Sequence, residues 1–170
     1  MSKETRKRNK DEKYKKLRKK RWLLFLAIVI WAVVVYSFSN QTGEESSGLS
    51  YKVSLFIFGG NAEMASKAEP IVRKLAHFSE YAIGGVLMYL EVNTYEFKKK
   101  NKLLIASGLG IWYAALDEVH QLFVFARHGS IFDVLIDSFG VIVGVLITSI
   151  WIRKRNKGEK VATKQSNNIN

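Results

Sequence analysis

Apolar stretches long enough to cross a membrane alternate with basic clusters along this chain, and this alternation limits the fold more than any other feature. A helix needs roughly 20 mostly apolar residues to span a bilayer. The single proline, Pro70, suits a mostly helical chain, and the absence of cysteine excludes disulfides and thiolate ligands. The sequence therefore predicts an all-α integral membrane protein, a bundle of four transmembrane helices at about residues 22–38, 71–92, 103–124 and 131–152.

Most segments outside these spans are basic or polar. Residues 1–21 carry twelve Lys/Arg against three acids, which predicts a disordered basic arm, and residues 153–170 predict a disordered basic and polar tail. Leu49 to Phe58 is apolar but too short to span, so it predicts an interfacial or re-entrant segment between the first two spans. Ala62 to Glu69 predicts a short polar helix, and Pro70 suits the first turn of the next one.

The distribution of Lys and Arg predicts an orientation for the transmembrane domain, residues 22–152. Four spans would put three segments on one side of the membrane: the arm, the loop 91–102 and the tail. Together these segments hold 22 of the 27 Lys/Arg (12, 4 and 6). Positive residues favour the cytoplasmic side, so both termini are predicted to be cytoplasmic in a multi-pass protein. This placement accounts for the net charge of +12 without nucleic acid, and the lipid bilayer is the expected partner. An aromatic belt is predicted at the interfaces from Trp22, Trp31, Trp112 and Trp151.

Three of the predicted spans contain polar residues that a bilayer disfavours. In the predicted orientation these residues lie at one level, roughly 10 Å below the outer surface at about 1.5 Å of rise per residue. On each helix they share a face at intervals of three or four residues. The faces are Arg73, His77, Glu80 and Gly84; Asp117, His120 and Gln121; and Asp133, Asp137, Gly140 and Gly144, with Lys74, Glu118 and Arg127 beside them. Gly84, Gly140 and Gly144 predict close helix packing on the inner side.

The charges on these faces do not balance. A charge near the middle of a membrane costs about 2.5–3.5 kcal/mol on insertion scales, yet five acids face only three bases, Arg73, Lys74 and Arg127. A proton, a cation, a cationic ligand group or water could balance the surplus negative charge. Equal weight goes to a structural role, in which the charges form an ion-pair network that holds the three helices together. A divalent metal held by His77 and His120 is possible but not expected, because no HExxH-like spacing is present. His128, in the outer turn, is expected to be solvated.

Motifs on the three polar faces resemble the VanZ-like family. They are Arg73-Lys74-x-Ala76-His77-Phe78-x-Glu80-Tyr81, then Asp117-Glu118-x-His120-Gln121-x-Phe123, then Arg127, then Asp133-x-x-x-Asp137-x-x-Gly140-x-x-x-Gly144. The resemblance runs from about residue 31 to residue 150 and includes the loop from Ser37 to Ser47. It implies a small protein of the bacterial cell membrane, related to one that accompanies glycopeptide-resistance gene clusters and gives low-level teicoplanin resistance. It implies no particular reaction.

Three hypotheses for function remain open, and so do enzymatic activity and oligomeric state. The first is an outward-facing polar site that binds or modifies an outer-leaflet lipid or cell-wall precursor and influences glycopeptide susceptibility. Its candidate catalytic residues are His77, Glu80, Asp117, Glu118 and His120, and its candidate ligand-binding residues are Arg73, Lys74, Gln121, Arg127, Asp133 and Asp137. The second is a proton- or ion-coupled carrier, and the third is a non-catalytic partner subunit whose charges are structural.

Overall fold

The computed structural model describes residues 3–127 and 129–167, and it places them in five helices and connecting loops without a strand. The helices are α1 (Lys3–Ser39), α2 (Gly43–Ile57), α3 (Ala62–Val92), α4 (Lys99–Gln121) and α5 (Ile131–Asn167). The all-α prediction is confirmed for this part of the chain. His128, which was expected to be solvated, lies outside the described residues.

Helix α3 lies at the centre of the bundle and contacts each of the other four helices. Its closest approach is to α5, where a Cβ added at Gly140 or Gly144 would overlap the carbonyl oxygen of Phe78 or Ala82. Small residues at such positions let two helix backbones come into van der Waals contact. Membrane helices associate through such close packing, because no hydrophobic effect drives them together in lipid. The core residues between the helices are Trp31, Val35, Tyr81, Met88, Tyr89, Val92, Ala106, Ala114, Val141 and Val145.

Trp31 has a different place from the one predicted for it in an interfacial belt. Its side chain is only 7% exposed, and its indole nitrogen donates a 2.8 Å hydrogen bond to the carbonyl oxygen of Glu80. The ring occupies the space that Gly84 leaves open, because a Cβ there would overlap the indole. Trp31 therefore attaches α1 to α3 in the core, whereas Trp22, Trp112 and Trp151 are exposed.

Within the described ranges, two helices are long and apolar enough to cross a membrane, α1 over Glu4–Ser39 and α5 over Ile131–Glu159. The predicted bundle of four spans is therefore matched in part, since α3 and α4 carry more polar residues. All four of these helices nevertheless expose large apolar side chains, for example Leu26, Leu75, Trp112 and Phe139. A soluble protein rarely exposes so much contiguous apolar surface.

Helix α3 corrects the prediction of two separate elements around Pro70. Ala62–Val92 is one continuous helix with Pro70 inside it rather than in a first turn. The helix begins earlier because Asn61 caps it: the Asn61 side chain accepts a 3.0 Å hydrogen bond from the Met64 backbone nitrogen. Proline in a helix interior costs one backbone hydrogen bond, and the packing of α3 against its neighbours outweighs that loss.

Helix α2 replaces the ten-residue segment that was predicted between the first two spans. It begins six residues earlier, after a capping box in which Thr42 and Glu45 exchange hydrogen bonds. It packs on α3 with a stripe of serines, Ser46, Ser50 and Ser54, which are all buried. Its apolar residues point away from the bundle, and Phe56 is 89% exposed.

Both basic ends are helical over the described residues, which differs from the disorder predicted for them. Residues 3–21 continue α1, and residues 153–167 continue α5. Residues 3–21 contain neither glycine nor proline, and Lys, Arg and Glu are good helix formers. Because each end extends an existing apolar helix, it needs no nucleation of its own.

Candidate functional site: a charged cavity at one end of the bundle

A polar cavity of about 180 Å³ opens at the end of the bundle where α2 begins, α4 ends and α5 begins. A smaller cavity of about 110 Å³ adjoins it and shares Ser46, Arg73, His77 and Arg127 with it. Of the residues predicted for the site, the larger cavity is lined by Arg73, Lys74, His77, Glu118, Gln121, Arg127, Asp133 and Asp137. Glu80 lines the smaller one. Residues far apart in sequence therefore meet around one space.

The first basic group of the site is Arg73 of α3. Its guanidinium donates a 3.1 Å hydrogen bond to the Ser47 hydroxyl of α2 and lies 3.9 Å from a Glu69 carboxylate oxygen one turn earlier. The Ser47 contact fixes the direction of the guanidinium, while other N–H donors of the fork stay available to a ligand. Arg73 lines both cavities, so those donors can face either space.

Arg127 supplies the second guanidinium from the loop between α4 and α5. It donates a 3.1 Å hydrogen bond to the carbonyl oxygen of Phe38, at the end of α1. Burial lowers the pKa of Arg127, and the nearby carboxylates of Asp117, Glu118 and Glu80 oppose that effect. Because arginine starts from a pKa above about 12, the side chain keeps its charge.

A tight contact between this loop and the start of α2 holds Arg127 in place. The Gly43 backbone nitrogen donates a 3.3 Å hydrogen bond to the Phe125 carbonyl oxygen, and a Cβ on Gly43 would overlap the Ala126 carbonyl. Ala126 itself has φ = 55°, an uncommon conformation for a residue with a side chain. The backbone is thus bent to bring Arg127 over the cavity.

The acidic side of the site comes from α4 and α5. Asp117 and Gln121 are buried one turn apart, and the Gln121 amide donates a 3.0 Å hydrogen bond to Asp117. Glu118 is also buried and accepts a 2.9 Å hydrogen bond from the Ser130 backbone nitrogen, which connects α4 to the start of α5. At the rim, Lys74 lies 3.3 Å from Asp133 in a partly exposed ion pair between α3 and α5.

Asp137 differs from every other acid of the site. It is 1% exposed, and neither of its carboxylate oxygens has a hydrogen-bond partner among the described residues. It lines the larger cavity together with His77 of α3, whose buried ring nitrogen Nδ1 also has no partner in the described part of the chain. A buried polar group without a partner costs about 1–3 kcal/mol or more, so this pair is the feature of the cavity that most needs an explanation.

Two predicted residues do not line either cavity. His120 packs its ring against Tyr36 of α1, with 4.9 Å between the ring centroids. Asp117 lies behind the cavity wall, close enough to His77, Glu80 and Asp137 to interact with them electrostatically. Over residues 3–127 and 129–167, no three His, Asp or Glu side chains are arranged to hold a metal ion, so no residues are assigned to a metal.

Helix α2 contributes lining residues that sequence reasoning missed. Gly43 and Ser46 line the larger cavity, and Ser46 and Ser50 line the smaller one. The missed signal is the spacing of Ser46, Ser50 and Ser54 at four-residue intervals, which puts three hydroxyls on one face of a helix. A polar face that turns inward and an apolar face that turns outward indicate a lipid surrounding rather than water.

The fold and the cavity together define a helical membrane protein with a charged site between its helices. The profile of the VanZ/LLP1 family matches residues 23–152. The chain therefore belongs to the VanZ/LLP1 family, as its motifs predicted. No curated protein and no solved structure matches the chain.

Proposed function

We propose that this protein is a four-span membrane protein whose cavity faces outward and binds the charged headgroup of an outer-leaflet lipid or cell-wall precursor. The observation that carries the proposal is Asp137, a residue of the cavity wall whose buried carboxylate has no hydrogen-bond partner among the described residues. A ligand that donates hydrogen bonds or brings a positive group would satisfy it. Through this binding, the protein would influence susceptibility to teicoplanin-type glycopeptides.

Four spans are supported by helix length and by the apolar outer faces. Helix α3 has 31 residues and α4 has 23, which gives about 46 Å and about 35 Å at 1.5 Å per residue. Both exceed the roughly 30 Å of a hydrocarbon core. Most ionisable residues within these two spans line the cavities, which is where ionisable residues inside membranes are usually found: Arg73, Lys74, His77, Glu80 and Glu118.

The ligand chemistry follows from the two sides of the cavity. Arg73 and Arg127 present guanidinium groups, which bind phosphate or carboxylate with charge-assisted hydrogen bonds. Asp137 requires a donor such as an ammonium, hydroxyl or amide group. A headgroup that carries an anionic group and a donor a few ångströms apart would satisfy both sides, and polyprenyl-phosphate-linked and peptide-bearing cell-wall precursors have that chemistry.

Binding fits the cavity better than ion-coupled transport does. Met88, Val141 and Val145 belong to a buried apolar core and lie further along α3 and α5 than the cavity residues. Gly110 of α4 packs directly against the side chains of Val141 and Met88. A carrier would need polar groups that continue through this layer.

His77 supports modification of the bound headgroup as a second candidate function. It lines both cavities, and its Nδ1 atom has no partner within the described residues. An imidazole in reach of a bound group could give or accept a proton. The variant His77→Gln separates the two functions, because it should keep headgroup binding and lose any chemical change in the ligand.

Two variants with a matched control pair test the proposal. Asp137→Asn and Arg73→Gln should each abolish co-purification of the ligand, measured by mass spectrometry of polar lipids and precursors extracted from the purified protein. They should also remove any protection against teicoplanin in an expressing strain. Glu63→Gln and Lys67→Gln, which break an exposed ion pair on the same helix, should change neither result. Unchanged ligand content in both cavity variants, at normal membrane levels, would refute headgroup binding.

A further inference from the structure

A second cavity, of about 360 Å³, lies at the end of the bundle opposite the site described above. It is open to the surroundings and is lined by the end of α3, the start of α4 and the C-terminal part of α5. Its polar lining residues include Asn93, Lys99, Lys102, Arg153, Asn156 and Lys157, and no acidic residue lines it. Four basic side chains around one space repel each other unless an anion lies between them.

Most of this positive charge is not neutralised within the protein. Lys102 donates hydrogen bonds to the Asn93 carbonyl at 3.2 Å and to its side-chain oxygen at 3.0 Å, both uncharged acceptors. Lys99, Arg153 and Lys157 form no ion pair with any acid in the described ranges. The cavity therefore keeps four positive charges available to a bound group.

The position of the cavity indicates where that group comes from. Ile150 and Trp151 of α5 are 54% and 55% exposed and lie three and two residues before Arg153, where the basic segment begins. An exposed tryptophan between apolar and basic residues is typical of the headgroup level of a bilayer. Arg21 of α1 reaches the same end, where it lies 4.0 Å from the Tyr95 ring and donates a 2.9 Å hydrogen bond to the Thr94 carbonyl.

We propose that this cavity binds the phosphate group of an anionic phospholipid, with the acyl chains lying along the exposed apolar face of α5. Basic pockets between transmembrane helices recognise anionic headgroups in this way, through charge and hydrogen bonding together. The site is separate from the outward-facing cavity. It would anchor α5 and the loop between α3 and α4 to one leaflet, the cytoplasmic one in the proposed orientation.

Two triple variants with equal charge test this site. Lys99→Gln/Arg153→Gln/Lys157→Gln removes three cavity charges, and Lys98→Gln/Lys100→Gln/Lys154→Gln removes three exposed charges at the same end that do not line the cavity. The full chain in neutral detergent is titrated with fluorescent phosphatidylglycerol, then with phosphatidylcholine and with inorganic phosphate. The cavity variant should bind phosphatidylglycerol on the order of 100-fold more weakly, and the control should lose a few-fold at most.

Several results would overturn the proposal. Equal losses in both triple variants would mean diffuse surface attraction rather than a site. Equally tight binding of phosphatidylcholine would exclude recognition of a net negative headgroup. Binding of inorganic phosphate without binding of phosphatidylglycerol would replace the lipid with a soluble anion. If the triple cavity variant does not fold, Arg153→Gln alone should weaken phosphatidylglycerol binding roughly fivefold, and an unchanged affinity would refute the site.

Discussion

Asp137 gives the sharpest test at the scale of a single residue, because its effects on stability and on function should be opposite. Its buried carboxylate has no hydrogen-bond partner in the described structure, so replacing it with the neutral amide of asparagine removes the cost of burying a charge, although the amide also lacks a partner. We expect Asp137→Asn to raise the free energy of unfolding by roughly 1–3 kcal/mol while it abolishes ligand binding. Thermal unfolding of the ligand-free protein in detergent measures the first effect, and the exposed substitution Glu63→Gln should change stability by less than about 0.5 kcal/mol.

A lower melting temperature for Asp137→Asn would contradict this view and favour the hypothesis of structural charges.

The polar spacing on α3 and α5 put His77 and Asp137 on helix faces that line the cavity, because direction around a helix axis follows from sequence position. It could not predict their partners. His120 packs on Tyr36 of α1 and not in the cavity, since the apolar run of α1 carries no signal of which helix it will contact.

At the scale of the helices, the contact between α3 and α5 should depend on its glycines. A Cβ at Gly144 would overlap the Ala82 carbonyl oxygen, whereas a Cβ at Gly108 of α4 would meet no atom within 4 Å. Gly144→Ala should therefore destabilise the bundle by about 1–3 kcal/mol. Gly108→Ala should stabilise it by about 0.5–1 kcal/mol, because alanine loses less backbone entropy in a helix. Thermal unfolding of the two variants in one detergent compares them, and equal effects would mean that α3 and α5 do not touch there.

The helix boundaries show what sequence could and could not predict at this scale. The existence of helices α1, α3, α4 and α5 followed from apolar length, and their described ranges include the predicted spans to within a few residues. The sequence did not predict that α3 is one continuous helix, since Pro70 is a local helix-stop signal that tertiary packing overrides. Helix α2 was predicted too short because apolar residues were counted, while its start depends on the Thr42–Glu45 capping box.

Across the whole molecule, two charged cavities lie at opposite ends with an apolar core between them. The two cavities differ in the sign of the charges that line them. The first is lined by both acidic and basic residues, which suits a headgroup that carries both signs of charge. The charged residues of the second are all basic, which suits an anion. Both proposed ligands depend on the orientation of the protein in the membrane, and such different ends favour a single orientation.

The absence of cysteine makes that orientation directly measurable, because one introduced cysteine is the only thiol in the chain. Lys67→Cys, on the exposed early part of α3, should react in intact cells with a maleimide that cannot cross the membrane. Lys100→Cys, at the start of α4, should react only after the membrane is opened, since the basic loops are expected on the cytoplasmic side. Both positions are exposed, so a difference in labelling reports sidedness rather than burial. The reverse pattern would place the mixed-charge cavity in the cytoplasm and refute an outer-leaflet ligand, while labelling of both in intact cells would contradict the four-span topology.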